Sequence, residues 1–403
     1  MDINKAQSWV LEAGIKLVES GLIARTWGNI SCRIDEESFL ITPSGRSYSS
    51  LTAKDLVQVK SKDLSYQGEI KPSSEKGVHA AVYELYPDIN FVIHTHQDNA
   101  SVIAATGLKR VKIGDQYPTL GDEVICAEYA LLGTKALCKK VRKALGDTKG
   151  KALIMKHHGV LCFGRDVEDT FTAAYELEQA CADFVVNRYL MLSQETEYNP
   201  LAMCAFALGK NSLTELSFFE QSQRSYGDSH RSDPGFIWYD GIKEAEIRDQ
   251  QDLNGLPEEI TTYRAIYRKH KGINQIIYKA TPEILGVSAA GLTLKPLLDD
   301  FAQLIGLQVK TVDEHDPELI AGALSKSAAV FIRNGGALCC GRTKEDAVAV
   351  GMILQKACKA LIGASLFGKV KPINPFESML MRYVYLKKYS KQAERNVVTV
   401  SRR

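Results

Sequence analysis

Residues 156–165 read Lys-His-His-Gly-Val-Leu-Cys-Phe-Gly-Arg, and residues 333–342 read Arg-Asn-Gly-Gly-Ala-Leu-Cys-Cys-Gly-Arg. Each decamer is followed by an acidic pair, Glu168-Asp169 and Glu345-Asp346, and then by Ala-Cys at 180–181 and 357–358. The two decamers stand 177 residues apart, counted from His158 to Gly335. Upstream, Asp-Ile-Asn-Phe-Val-Ile at 88–93 is matched by Gly-Ile-Asn-Gln-Ile-Ile at 272–277, an offset of 184. One loop deletion accounts for the drift between the two offsets, so the chain reads as a tandem duplication.

Working outward from the first decamer, Lys151–Met155 and Val160–Phe163 are strand-like runs flanking a His-His-Gly turn, and Asp166 caps a helix from Val167 to about Tyr189. Residues 89–95 are β-rich and read as a buried strand. Before them, a helix is expected to open near Ser73–Ser74 and run to Tyr86, where Pro87 stops it. Near the start, Ala6, Trp9, Val10, Ala13, Leu17 and Val18 share one face of a helix that Gly21 ends, and short strands follow at Asn29–Arg33 and Phe39–Thr42. Mixed strands and helices make this an α/β chain. Residues 191–255 differ, with Asn199-Pro200 and Ser232-Asp233-Pro234-Gly235 among polar stretches. The expected division is therefore a first domain over 1–192, a connector over 193–240 and a second domain over 241–403.

Composition narrows the class. A chain of 403 residues with 45% hydrophobic content has ample core for two domains. Its 50 Lys+Arg against 48 Asp+Glu give a formal charge of only +2, so no whole-protein field draws nucleic acid or an anionic membrane. The apolar runs fall short of the ~20 residues of a membrane span, and residues 1–20 alternate apolar and charged positions unlike a signal peptide. The nine cysteines form no CxxC pair, so a reduced, cytoplasmic protein is expected.

Chemistry concentrates in three places. His94-Thr95-His96 puts two imidazoles on one face of a strand, because alternate strand residues point the same way. His158 lies in the later turn, where Gly159 permits close backbone approach. Three His with one open position form the ligand set of a catalytic divalent metal, usually zinc, and His157 is a competing donor that spacing does not exclude. Glu75 stands in the first turn of the helix after Ser73-Ser74, available as a general acid/base, and a Glu75–His79 pair is a rival metal site. Thr26-Trp27-Gly28-Asn29 and Thr42-Pro43-Ser44-Gly45 are small-residue turns, and with Ser73 and Ser74 at a helix mouth they suit an oxyanion such as phosphate. Neither turn matches a nucleotide fingerprint.

The motifs occur in the order TWGNIS (26–31), ITPSG (41–45), KPSSE (71–75), HTH (94–96) and HHG (157–159). In that order they resemble the class II aldolase/adducin family, most closely its L-fuculose-1-phosphate aldolase branch, over roughly residues 3–190. The resemblance implies an α/β/α layered fold around a mostly antiparallel sheet. It implies one Zn²⁺, or another divalent metal, held by His94, His96 and His158 and not by His157. It also implies Glu75 as acid/base, and a substrate phosphate held by Thr26, Gly28, Asn29, Ser44, Gly45, Ser73 and Ser74. The family's tyrosine proton donor has only Tyr117 as a candidate here, in the poorly matching loop Gly107–Val124. By the offsets above, the second copy has Tyr278, Ala280 and Gly335 in place of the three histidines, while Glu259 stands opposite Glu75.

The implied activity is metal-dependent cleavage of a ketose 1-phosphate, like L-fuculose 1-phosphate, to dihydroxyacetone phosphate and an aldehyde. The alternatives are a sugar-phosphate 4-epimerase or dehydratase on the same site, or a non-enzymatic adducin-like assembly module. The family's usual assembly is a fourfold homotetramer with sites between subunits. A homo-oligomer is therefore expected, a dimer forming a pseudo-tetramer of domains, with a small-molecule sugar phosphate as partner and no nucleic acid or membrane. Tyr383, Tyr385 and Tyr389 are further candidates for the missing donor.

Overall fold

Eight short β-rich segments of the first half join in one sheet: β1 (Asn29–Arg33), β2 (Ser38–Ile41), β3 (Val57–Lys60), β4 (Phe91–Thr95), β5 (Arg110–Lys112), β6 (Glu123–Ala127), β7 (Ala152–Met155) and β8 (Val160–Gly164). Their order is β3-β2-β1-β4-β8-β7-β6-β5, antiparallel throughout except for the parallel β6–β7 pair. The helices are α1 (Ile3–Glu19), α2 (Lys76–Leu85), α3 (Asp98–Ala105), α4 (Lys135–Asp147) and α5 (Val167–Ser193). These positions come from a computed structural model, which describes residues 1–22, 27–209, 226–313 and 316–388.

Strand alternation explains the layering. On β4, Phe91 meets Trp9 of α1 edge-on, ring centroids 6.2 Å apart, whereas the next residue, Val92, joins the core built with α2 and α4. That core takes Val78, Val82, Val141 and Leu145 from the two helices and Phe39, Leu153, Leu161 and Phe163 from the strands. Side-chain caps fix helix starts: Asp2 accepts from Asn4 N at 3.2 Å for α1, and Thr134 from Leu137 N at 3.2 Å for α4. Helix α2 starts later than expected. The Ser73 hydroxyl accepts from Glu75 N at 3.2 Å, so the chain is still turning there and Glu75 occupies the cap position rather than the first turn.

The chain divides into a unit over Met1–Arg188 and a unit over Tyr189–Lys388. The second contains α6 (Pro200–Ala207) and α7 (Glu259–Lys269), with strands β9 (Asp228–Ser232), β10 (Gly235–Tyr239), β11 (Glu244–Arg248), β12 (Gln275–Lys279), β13 (Thr311–Val312), β14 (Ala329–Ile332) and β15 (Gly336–Gly341). Their order, β11-β10-β9-β12-β15-β14-β13, repeats that of the first sheet, among the described residues without a counterpart to β5, and the parallel pair recurs as β13–β14. Phe91 faces Gly164 across β4–β8, and Gln275 faces Gly341 across β12–β15, which are the two sequence offsets again. The fold is α/β/α and duplicated in tandem.

Two expectations change. The stretch 193–240 is not only connector: β9 and β10 lie inside it and pair with β12 and β11, so a boundary at 241 would cut the second sheet. For β9 the cause is composition, since Asp-Ser-His-Arg-Ser carries no apolar alternation, whereas β10, Gly-Phe-Ile-Trp-Tyr, is strand-like in its own residues. Also, the helix Lys344–Ser365 is long and apolar enough to cross a membrane by length and composition. Its apolar residues are instead buried within the second unit, among them Ala347, Val350, Ile353, Leu354, Ala357 and Cys358.

Candidate active site

Strand β4 sets the first two imidazoles. Asn29 of β1 pairs across from His94, and His96 follows just beyond the strand end on the same side. The third comes from the turn between β7 and β8. There His157 adopts a left-handed backbone, φ 60°, and its N–H donates to Ala104 O at 2.9 Å. Its ring turns edge-on to Tyr129, centroids 5.5 Å apart. The following residue, His158, then faces His94. Gly159 is required by close approach: a Cβ there would lie 2.4 Å from Thr95 O and 2.8 Å from His94 Cε1.

His94, His96 and His158 are all buried, and one ligand atom from each lies within 4.8 Å of the others. His94 Nε2 is 3.0 Å from His96 Nε2 and 3.1 Å from His158 Nε2. Tetrahedral Zn–N bonds of about 2.0–2.1 Å put neighbouring nitrogens about 3.3 Å apart, so the spacing suits one small ion. The tautomer suits it too. His94 Nδ1 lies 2.9 Å from Val160 O, and a carbonyl only accepts, so Nδ1 carries the proton and the Nε2 lone pair faces the other rings. Burial pushes the His94 pKa down to about 3, which keeps the ring a neutral ligand. The donor set therefore fits a divalent metal. Among the described residues, no other His/Cys/Asp/Glu group gathers in this way.

Glu75 stands beside this cluster at the mouth of α2. Its Oε1 is 2.8 Å from His158 Nε2 and its Oε2 is 3.3 Å from His94 Nε2, while Asn29 Nδ2 donates to Oε2 at 2.8 Å. Burial pushes its pKa up, but the neighbouring His94 and His158 rings and the hydrogen bonds from His158 and Asn29 outweigh that and hold it well below the usual carboxylate range. Glu75 is thus a buried carboxyl group held against the histidine cluster. The rival Glu75–His79 metal pair does not form: His79 Nδ1 is 2.7 Å from Ser31 Oγ and its Nε2 bonds Asn29 Oδ1.

The small-residue segments are knit together. Pro43 bridges Pro72, Ser44 N donates to Lys71 O at 3.0 Å, and Ser73 N donates to Thr42 O at 3.1 Å. Thr42 Oγ1 in turn accepts from Ile30 N at 3.1 Å. Gly28 and Gly45 have φ of 138° and 72°, a backbone that favours glycine. Ser74 is exposed, and Gly133 from the loop before α4 approaches it: a Cβ at Gly133 would be 3.7 Å from Ser74 Cβ. The Asn29 amide donates one N–H to Glu75 Oε2, and the Ser73 hydroxyl accepts from Glu75 N, an oxygen that can still donate its own O–H to an oxyanion. Thr26 and Tyr389 lie outside the described residues. Tyr117 donates its hydroxyl to Asp183 of α5, and Tyr383 is exposed on the helix Pro375–Lys388.

The sequence does not single out Tyr129, and it places His79 on the face of Glu75 only as a rival metal pair; the further signal is Tyr83, four residues beyond His79 on the same helix face.

The model of the Class II Aldolase and Adducin N-terminal domain matches residues 9–185 and again residues 210–362. The 5-deoxy-D-ribulose 1-phosphate aldolase of Bacillus thuringiensis serovar kurstaki is 32% identical over 179 residues, which cover 44% of this chain and 83% of that protein. A solved L-fuculose 1-phosphate aldolase is 28% identical, with a TM-score of 0.42 over 48% of this chain and 88% of its own. The L-fuculose-1-phosphate aldolase of Thermus thermophilus is 25% identical, with a TM-score of 0.40 over 48% of this chain and 98% of its own. With the family model matched on both halves, the chain belongs to the class II aldolase and adducin family.

Proposed function

We propose that the first unit is a metal-dependent aldehyde-lyase that cleaves a ketose 1-phosphate to dihydroxyacetone phosphate and an aldehyde, with one Zn²⁺ per chain held by His94, His96 and His158. The observation that carries this reading is the convergence of three buried imidazole nitrogens beside the Glu75 carboxyl group. The relative from Bacillus thuringiensis is named for a 1-phosphorylated ketose, which supports the substrate class. A divalent ion bound there supplies Lewis-acid polarisation of the substrate's carbonyl and hydroxyl oxygens.

The chain's own residues do the rest. In cleavage, the bond between C3 and C4 breaks, the C4 hydroxyl loses its proton to become the aldehyde, and C3 of the three-carbon fragment gains one. Glu75 moves the proton at C3: its protonated form gives it in cleavage, and its ionised form removes it in the reverse, aldol-forming direction. Thr26, Gly28, Asn29, Ser44, Gly45, Ser73 and Ser74 bracket the phosphate, with the two glycine turns supplying backbone N–H groups. The second copy, with Tyr278, Ala280 and Gly335 at the ligand positions, acts as a packing partner in a two-chain particle of four domains. Mass photometry should give twice the chain mass, and full activity from a single chain contradicts that role. Nine free thiols suit a reducing compartment such as the cytoplasm.

The test is retro-aldol activity on L-fuculose 1-phosphate and 5-deoxy-D-ribulose 1-phosphate, coupled to detection of dihydroxyacetone phosphate. Wild type should release it, and Glu75→Gln should lose roughly 10²–10⁴-fold in turnover while keeping its metal. Release by neither substrate, or full turnover by Glu75→Gln, overturns the reading.

A further inference from the structure

Helix α2 lays Glu75, His79 and Tyr83 in one stripe over Asn29 and Ser31 of β1. Tyr83 OH and Ser31 Oγ are 2.7 Å apart, Ser31 Oγ and His79 Nδ1 are 2.7 Å apart, and His79 Nε2 bonds Asn29 Oδ1. Asn29 Nδ2 then donates to Glu75 Oε2 at 2.8 Å. Asn29 presents its NH₂ to Glu75 and its carbonyl to His79, and with that orientation only one arrangement of protons satisfies the chain. That carbonyl only accepts, so His79 carries its proton on Nε2. His79 Nδ1 then accepts from the Ser31 hydroxyl, whose oxygen accepts from Tyr83. Every donor points toward Glu75.

We propose that His79 is a positioning residue, which holds the Asn29 amide with its NH₂ aimed at Glu75 and so fixes the carboxylate that moves the proton. This rests on the assignment of Glu75 above. Burial pushes the His79 pKa down to about 4, so at neutral pH the ring is the uncharged, one-proton form the chain needs.

The second unit is a built-in control. Ser31 pairs with Val92 across β1–β4, and Ser229 pairs with Ile276 across β9–β12, so Ser229 is the counterpart of Ser31. The copy keeps the far end of the chain: Ser229 Oγ is 2.8 Å from Tyr267 OH, as Ser31 is to Tyr83. It also keeps the arginine over that tyrosine ring, 4.8 Å from the centroid for both Arg33–Tyr83 and Arg231–Tyr267. It keeps a buried glutamate, Glu259. What it lacks are the two links between: Gly227 stands for Asn29 and Tyr263 for His79. The Tyr263 hydroxyl donates instead to backbone carbonyls, Gly227 O at 2.7 Å and Tyr226 O at 3.0 Å. Packing of the helix on the strand is thus met without His79 and Asn29. Those two links go with the metal histidines.

The test compares His79→Leu, His79→Gln, Asn29→Ala and the double variant His79→Leu/Asn29→Ala, with Glu75→Gln alongside, on the full chain reconstituted with zinc. His79→Leu should keep its metal and a KM within about twofold, while kcat falls by roughly 10- to 100-fold, the scale of a misplaced catalytic group. His79→Gln can still offer an N–H to Asn29 and should recover most of that loss. The double variant should be no slower than Asn29→Ala, because His79 acts through Asn29. Unchanged kcat in His79→Leu, or losses that multiply in the double variant, overturn the proposal. Should His79→Leu not fold, ¹⁵N resonances of histidine-labelled wild type decide: Nε2–H on His79 at pH 7 supports the chain, and Nδ1–H overturns it. An active Glu75→Gln would sink the reading of Glu75 itself, whereas an inactive Glu75→Gln beside a fully active His79→Leu would sink only the positioning role.

Discussion

At the scale of single residues, the pair His157-His158 shows how one dihedral assigns chemistry. Both histidines are buried, and spacing alone leaves both available to a metal. The left-handed φ of 60° at His157 turns its ring to Tyr129 and delivers His158 to His94. The same backbone recurs at Asn334 in the second unit, also with φ 60°, and Asn tolerates that region well. His157→Asn should therefore fold and keep its metal, whereas His158→Ala should lose it, as measured by elemental analysis of the purified variants. Loss of metal from His157→Asn with retention by His158→Ala would exchange the two assignments. The sequence showed which residue types gather here, but a backbone angle leaves no mark in it. Tyr117 taught the converse: a chemically apt residue in a plausible loop spends its hydroxyl on Asp183.

At the scale of elements, β4 and the turn before β8 were readable because their patterns are local. The buried run Phe91–Thr95 gave the strand, and the alternation of His94 and His96 gave the face. The glycine after the two histidines has a steric cause, since any side chain at Gly159 would enter Thr95 O. Gly159→Ala should cost about 1–3 kcal/mol or more by overpacking, read from the urea midpoint, and should weaken metal retention along with it. Full stability in that variant would show that β4 and the turn can separate freely. Helix α2 was read less well. Its start depends on the bond from Glu75 N to Ser73, and its stripe depends on what β1 presents below. Neither is local.

That stripe also sets a pH dependence. His79 ordinarily titrates near 6.5 and in the fold near 4, because burial disfavours its charged form. Between those values the unfolded chain binds a proton that the folded chain refuses. Stability is thus unaffected by this group above about pH 6.5 and is lost as pH falls toward 4, by about 3 kcal/mol in total. His94, with a pKa near 3, adds in the same direction. Urea unfolding of metal-free protein at pH 7 and pH 5 should show a smaller acid loss in His79→Gln than in wild type. Equal losses would mean that His79 takes up its proton without leaving its place.

At the scale of the molecule, the chain carries one fold twice and its chemistry once. The repeat was legible because two blocks kept their residues at steady offsets, and the register of the sheets reproduces those offsets. The start of the second copy was not legible, because polar β9 hides its strand character until Ser229 and Arg231 meet Tyr267. The central claim is that His94, His96 and His158 form one metal site and that Tyr278, Ala280 and Gly335 leave none in the other copy. Elemental analysis of the full chain after zinc reconstitution and removal of free ion tests this most directly. The account predicts about one zinc per chain, falling to none in His158→Ala. Two per chain, or none in wild type, would contradict it.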